Sequence, residues 1–486
     1  MTISPLESNW LTAILPELIL AVAGMLLILF DVFVPRARAV IPALAVIDFL
    51  AAFWSELFVD GGTYFAATYQ ISNVTRVFDI VFLLAAILAA LFAADYLERE
   101  RLQSGEFYAL LMWATVGMMM MAKGLDLLVI ILGLELLSIC IFILVGYHRR
   151  IPVSNEASLK YFLMGAFATG FVLYGTALFY GATQSTNFAV MSRWFATANA
   201  QQSSSPLLTI AFVLLMSGLG FKLAAAPFHG WAPDVYQGAP SPVAGWLSVA
   251  PKAATLIALI RIFSAMTPVI EHAAWLKMVA ALSILSMIIG NAVAIAQRDL
   301  KRMLAYSGIA HVGYMLIALL SLGPDAVAAI AVYTVTYALM NIGAFGVVSM
   351  LAKNQNDPQT LDDIAGLGFR RPFAGAALMI CMFSLSGLPP TAGFIAKFFI
   401  FKTAIDAGHT TMALVGILTS IVSVYYYLRV VYYLYMKEAP EGDMVLPGSV
   451  FATSALAISV IGILFIGINP TPLFAIAGAA ARSLLP

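Results

Sequence analysis

Apolar runs of about twenty residues recur from residue 11 to residue 468, broken only by short stretches where Gly, Pro, Ser and charged residues gather. A helix needs ~20 mainly apolar residues to cross a bilayer. Runs that meet or approach this length lie at 11–34, 39–59, 75–96, 107–122, 125–146, 157–181, 206–228, 241–265, 274–296, 303–322, 326–351, 372–403, 408–436 and 450–468. The pattern predicts fourteen spanning helices. At ~20 residues each they take roughly 280 residues, so no connection is long enough for a second, soluble domain. The longest polar connections are ATANAQQSSSP, before the seventh run, and the segment 354–371. The fold class is an all-α polytopic membrane protein, without a catalytic head, a nucleotide-binding fold or a disulfide-built exterior.

Composition agrees. The 486 residues are 62% apolar and 10% charged, against ~25% charged in soluble domains. Twenty-five Lys and Arg balance twenty-five Asp and Glu, so nothing points to nucleic acid. Cys140 and Cys381 both lie inside apolar runs, and two thiols cannot hold an iron–sulfur cluster that needs four. The first residues carry no basic region of the kind that opens a cleavable signal peptide, and the first apolar run is long enough to span. Met118–Met121 face every side of a helix and read as packing. Connections after odd-numbered spans hold thirteen basic residues, Lys353 among them. The opposite side holds six: Arg76, Lys123, Arg193, Lys277, Lys402 and Arg482. Basic residues favour the cytoplasmic side, which predicts both termini outside the cytoplasm.

The few charges inside the spans carry the candidate chemistry, because a charge at mid-bilayer costs at least ~2.5–3.5 kcal/mol. Glu135 sits in LLVIILGLELLSICIFILVG, Lys222 in LLMSGLGFKLAAAPF, Lys252 in WLSVAPKAATLIALI and Lys397 in GFIAKFFIF. His311, in MLAYSGIAHVGYMLIALL, is a shallower fifth candidate, with a packing histidine as its plain alternative. For Glu135 and Lys222 the plain alternative is a static ion pair. Lys160, Arg261, Lys402 and Arg429 are expected near helix ends, snorkelling to the interface. Asp31, Asp48 and Asp79 are expected near span ends or in hydrogen bonds between helices.

Two spans are predicted to be broken. In the seventh, Lys222 is followed by Pro227, His229, Trp231 and Pro233. In the twelfth, Gly387, Pro389, Pro390 and Gly393 interrupt the run before Lys397. Proline removes a donor and clashes with the preceding turn, and paired interrupted helices point to an ion site in transporters. The intervals Glu135–Lys222 and His311–Lys397 are 87 and 86 residues. This near-repeat is offset by five spans, so its orientation is inverted.

The run AAAPFHGWAPDVYQGAPSPVAGWLSVAPKAA (224–254), with Lys222 just upstream, closely resembles the subunit N family of bacterial NADH:quinone oxidoreductase, respiratory complex I. RDLKRMLAYSGIAHVGY (298–314) and FSLSGLPPTAGFIAKF (383–398) look like that family's other signatures. The family corresponds to mitochondrial subunit 2 and is related to Mrp-type sodium/proton antiporters. The resemblance covers essentially the whole chain. It implies fourteen helices with two inverted five-helix repeats, spans 4–8 and 9–13. The implied division is a three-helix segment (1–106), two repeats (107–265 and 266–437) and a C-terminal helix with its tail (438–486). By motif, Glu135 looks like the fifth-span glutamate and Lys222 its seventh-span partner. Lys252 resembles the connecting lysine and Lys397 the terminal lysine of the twelfth span. Animal mitochondrial versions lack the first three spans, so all fourteen favour a bacterial-type protein in the cell inner membrane.

The mechanism these residues suggest is a water-bridged relay Lys222 → Lys252 → His311 → Lys397, with Glu135 as its switch. Each proton moved against 100 mV costs ~2.3 kcal/mol, and the chain shows no source for that energy. The resemblance supplies one, NADH-to-quinone electron transfer in partner subunits. Those partners are the other membrane-arm subunits, including sibling antiporter-like ones, and the expected FMN, iron–sulfur clusters and quinone belong to partners. No cofactor or metal is expected in this chain. The alternatives are a stand-alone cation/proton antiporter and a non-catalytic scaffold. His229, Trp231 and Asp234 are read as shaping a loop more readily than as a substrate site.

Overall fold

A computed structural model describes residues 10–198, 205–270, 274–321, 323–352, 360–439 and 449–483. Lys353 and most of the loop ahead of the seventh apolar run lie outside them. The chain is a bundle of helices. They are α1 (Leu15–Phe33), α2 (Ile41–Glu56), α3 (Asn73–Arg99), α4 (Gly105–Lys123), α5 (Leu127–Val145), α6 (Pro152–Thr183), α7 (Phe188–Thr197), α8 (Pro206–Leu223), α9 (Ala232–Gly238) and α10 (Ser241–Leu247). There follow α11 (Ala250–Ile270), α12 (Ala274–Ala296), α13 (Leu300–Leu319), α14 (Pro324–Tyr337), α15 (Gly343–Leu351), α16 (Pro372–Ser386), α17 (Ala392–Asp406), α18 (Thr410–Met436), α19 (Val450–Ile468) and α20 (Thr471–Ala481). A two-stranded antiparallel hairpin, β1 (Gly62–Tyr64) with β2 (Tyr69–Ile71), lies between α2 and α3.

Among the described residues, thirteen helices are long and apolar enough to cross a membrane. The count is fourteen if Asp362–Arg370 and Pro372–Ser386, bent by 117°, form one span. The run read as one span over 372–403 is divided into α16 and α17. The first ends where Gly387 takes φ +86° and the second begins after Pro389 and Pro390. The run read over 206–228 is helical only to Leu223, with Ala224 at φ +57°. The eleventh run is helical throughout but contains a π-helical turn, Ala338–Ile342, between α14 and α15.

Polar residues at the starts of the apolar runs set many of these helix boundaries. Ser72 and Thr75 form a reciprocal capping box on α3, Asp126 accepts from the Leu128 amide at the start of α5, and Asp299 accepts from the Arg302 amide on α13. Each satisfies a backbone donor that the first helical turn leaves free. Prolines open α6, α8, α14 and α16, where no amide is needed.

Nearly all of α3, the stretch Ser241–Met266, α13 and the α14–α15 span is buried inside the protein, whereas two thirds of α2, α6, α18 and α19 faces outward. That outer face is lined by Leu, Ile, Phe and Val side chains, including Phe167, Ile421 and Ile461, as a lipid-facing surface requires. Association between membrane helices depends on close packing. At the α4–α5 contact a Cβ on Gly133 would lie 2.5 Å from the Gly117 carbonyl, so only glycine fits.

Candidate functional site

The five candidate residues lie along the buried middle of the bundle. Lys222, near the end of α8, is 5% exposed and donates to Ser138 Oγ at 2.6 Å. Ser138 in turn donates a hydrogen bond to the Leu134 carbonyl one turn back on α5. Glu135 is half-buried on the same helix and accepts from Thr169 Oγ1 of α6 at 2.8 Å. The two charges therefore meet different hydroxyls. They form no ion pair within 4 Å, so the static pair considered from sequence is absent here.

Lys222 lies over three rings, Phe142, Tyr161 and Phe221, at 5.2, 5.7 and 6.0 Å. Tyr161 stacks on Trp231 at 4.3 Å, and Trp231 meets Tyr236 edge-on at 6.2 Å. Tyr236 in turn lies beneath Lys252, whose Nζ is 5.8 Å from the ring centre. An aromatic line thus joins the first two lysines. Trp231, ambiguous in sequence, is part of it, with its indole N–H donating to the Phe221 carbonyl.

Lys252 donates to the Gly308 carbonyl of α13 at 3.2 Å. One turn further along α13, His311 Nδ1 pairs with Tyr333 Oη at 2.6 Å and Nε2 with Tyr427 Oη at 3.0 Å. Its ring also rests on Tyr337 at 4.9 Å. Tyr427 shares a further short hydrogen bond with Ser307. From His311 the line continues to Tyr314, at 5.7 Å, and Lys397 Nζ lies 5.4 Å from the Tyr314 ring. Lys397 donates to the Ser386 carbonyl and to Ser420 Oγ, both at 2.9 Å. It reaches the first through the α16–α17 break. A groove of about 450 Å³, lined by Gly387, Phe394, Lys397, Phe401 and Ser420, opens beside it toward the outer surface.

Lys222, Lys252 and Lys397 thus meet hydroxyls, carbonyls and ring faces, with no carboxylate within ion-pairing distance among the described residues. The family described as NADH:quinone oxidoreductase/Mrp antiporter, transmembrane region, matches residues 124–423, which hold all five candidates. Subunit N of NADH-quinone oxidoreductase from Trichlorobacter lovleyi is 42% identical over 475 residues, 97% of each chain. The chain belongs to the subunit N family. Subunit N 1 of Solibacter usitatus is 40% identical over 97% of each chain. A chain of respiratory complex I from Thermus thermophilus superposes with a TM-score of 0.81 at 34% identity, over 95% of this chain and 99% of that one. A chain of the Mrp complex from Dietzia sp. reaches 0.82 at 20% identity, over 98% of each. At that identity the likeness is one of fold alone.

Several sequence expectations are corrected. Lys123, counted among the connection charges, ends α4 wholly buried, with Glu17, Glu56 and Asp79 around it. Arg261 does not reach the interface. It is 3% exposed and donates to the Ala122 carbonyl at 2.5 Å and to Gln70 at 3.2 Å. Asp79, as expected, lies near the start of its span and bonds between helices, to Lys123 at 2.9 Å. Sequence reasoning also passed over the hydroxyls of Ser138, Thr169, Ser420, Tyr333 and Tyr427. Tyrosine and serine inside apolar runs were the available signal, but only packing shows which ones meet a charge.

At one end of the bundle Asp234 binds Lys160 of α6 and Arg302 of α13, the latter at 2.6 Å. Gln237 bridges to Asp299 and Arg302 at 2.9 and 3.0 Å. Burial pushes the Asp234 carboxyl up, but the hydrogen bonds and charges of Lys160 and Arg302 outweigh it and hold the group below the usual aspartate value. This ties the loop after α8 to two long helices, in line with a structural role for Asp234.

Proposed function

We propose that this subunit N family member carries protons across the membrane as part of the membrane arm of NADH:quinone oxidoreductase. Lys222, Lys252, His311 and Lys397 are the carriers and Glu135 the switch. The observation that carries this reading is a set of buried lysines with no carboxylate within 4 Å among the described residues, strung along one line of aromatic rings and hydroxyls. A lysine fixed as a permanent ion inside a protein needs an opposite charge. A lysine facing only hydroxyls and carbonyls is held less firmly in one protonation state and can hand its proton on. Water between the rings completes the relay, since tyrosine and serine hydroxyls both donate and accept.

In this reading spans 4–8 and 9–13 are two inverted five-helix repeats, and the interruptions after Leu223 and after Ser386 are the broken helices of the seventh and twelfth spans. The three-helix segment 1–106 precedes the repeats, which run 107–265 and 266–437, and the helix and tail of 438–486 follow. The excess of basic connections on one side puts both termini outside the cytoplasm of a bacterial inner membrane. Loading then occurs near Lys222 and release near Lys397. Electron transfer in partner subunits, which hold the FMN, iron–sulfur clusters and quinone, supplies the energy.

The test is Lys222→Ala in the assembled complex, reconstituted in liposomes. NADH-driven proton translocation should fall while assembly persists; undiminished translocation overturns the role given to Lys222. Purified alone, the chain should not exchange protons for sodium, as a self-sufficient antiporter would.

A further inference from the structure

The most concentrated charge among the described residues lies away from the proposed relay. Glu17 at the start of α1, Glu56 at the end of α2, Asp79 near the start of α3 and Lys123 at the end of α4 meet at one end of the bundle. Lys123 Nζ lies 2.8 Å from Glu17 Oε1, 2.9 Å from Glu56 Oε2 and 2.9 Å from Asp79 Oδ2. Lys123, Glu56 and Asp79 are fully buried and Glu17 nearly so.

Three carboxylates therefore surround one ammonium, any two of these oxygens no more than about 6 Å apart, close enough for each negative charge to oppose the next. The other groups facing the cluster do not balance it directly. From the hairpin, Tyr69 donates to Glu17 Oε1 at 2.5 Å. Arg261 of α11 donates from Nε to the Ala122 carbonyl and from Nη1 to Gln70, and its Nη2 is buried without an acceptor, outside ion-pairing distance of the three acids. Arg76 of α3 donates to the Val59 carbonyl and to Asn73.

The second oxygens decide the matter. Glu17 Oε2, Glu56 Oε1 and Asp79 Oδ1 are all buried and receive no hydrogen bond. A buried carboxylate oxygen without a donor is strongly unfavourable when charged. A proton on one of these oxygens turns it into an O–H that can donate to a neighbouring carboxylate, so two acids share one proton. The proton comes from hydronium in the aqueous phase, whose O–H bond breaks as the carboxyl O–H forms, leaving water.

We infer that Glu17, Glu56 and Asp79, gathered around Lys123, form a proton-binding site that holds one exchangeable proton at the end of the bundle nearest the N-terminus. A metal ion has no place there, because the ammonium already occupies the centre of the three carboxylates. The site is separate from the relay. Lys252 and Arg261 share α11 nine residues apart, a separation of ~13 Å that puts them on opposite faces of the helix. With both termini outside the cytoplasm, the cluster sits on the face where the relay would release protons.

The experiment is infrared spectroscopy of the intact complex in bilayers through a pH titration, comparing wild type with Asp79→Asn and Glu56→Gln. Replacing either acid by its amide removes the surplus negative charge that requires the proton. The expected result is a protonated-carboxyl C=O band, sensitive to deuterium exchange, that is present at neutral pH in wild type and lost in both variants. Identical carboxylic-acid regions in all three spectra overturn the proposal and leave a fully ionised cluster. Tyr69→Phe keeps every charge and carries the test if an amide variant does not assemble. It should shift the band or its pH midpoint, and an unchanged spectrum again overturns the proposal. The band does not depend on the relay, so a failure of the Lys222 reading leaves this result untouched.

Discussion

Replacing Gly308 with alanine tests the relay without altering any charge. A Cβ at this position on α13 would lie 2.9 Å from Lys252 Nζ and 3.0 Å from Tyr337 Oη. Non-bonded heavy atoms settle at ~3.5–4.0 Å, so the ammonium must retreat by roughly 0.6–1 Å. Its hydrogen bond to the Gly308 carbonyl, already 3.2 Å, then passes beyond bonding range. A hydrogen bond to a charged group is worth ~1.5–3 kcal/mol, and 1.36 kcal/mol is a factor of ten in rate. Proton transfer through Lys252 should slow by about tenfold or more. Folding should not suffer, because the obstructing atoms are the free ends of two side chains and alanine gains ~1 kcal/mol over glycine within a helix. The assay is NADH-driven proton translocation by the reconstituted complex, with the yield of assembled complex measured alongside. Gly313→Ala is the control. Its Cβ would strike the backbone of α12, 2.8 Å from the Ser283 carbonyl and 2.9 Å from the Met287 amide nitrogen, so assembly should fail before translocation does. Wild-type translocation by an assembled Gly308→Ala complex would refute a route through Lys252.

Three other expectations can be checked with the same material. Ser138→Ala removes the one hydrogen-bond acceptor that Lys222 has among the described residues, so translocation should drop severalfold at unchanged assembly; an unaltered rate means that Ser138 does not position the lysine. Gly393→Ala would put a Cβ 1.8 Å from the Ser384 carbonyl, forcing α16 and α17 apart, and should abolish accumulation of the complex on native gels. Because Asp234 is held below the usual aspartate value, its tie to Lys160 and Arg302 contributes stability that is complete above ~pH 5. That stability is lost only as pH falls below ~4. Hydrogen exchange over 232–238 should follow that course, and loosening that begins near neutral pH would contradict it.

Much of the fold was legible because a bilayer imposes a single rule: a backbone in hydrocarbon must form helices long enough to cross it. Hydropathy therefore located nearly every span to within a few residues, and an ionisable group inside an apolar run stood out by itself, as Glu135, Lys222, Lys252 and Lys397 did. The α16–α17 interruption could be read from Gly387, Pro389 and Pro390, since these residues disfavour helix whatever surrounds them. The π turn at 338–342 carries no such signature, because Ala-Leu-Met-Asn-Ile suits an ordinary helix and only packing selects otherwise.

What the one-dimensional pattern could not contain is which charge meets which. Lys123 looks like a connection charge because it ends an apolar run beside Gly124, and Glu17, Glu56 and Asp79 lie far from it along the chain. Only the antiparallel packing of α1 to α4 brings all four to the same end of the bundle and excludes water from them. The same holds for the proposed relay. Hydropathy placed three lysines inside spans, but the packing of the helices set them against hydroxyls and rings and set Lys123 against carboxylates. The physical reason is range: hydropathy is a property of each residue and its neighbours in sequence, but the protonation behaviour of a buried lysine depends on oxygens within about 4 Å, supplied by other helices.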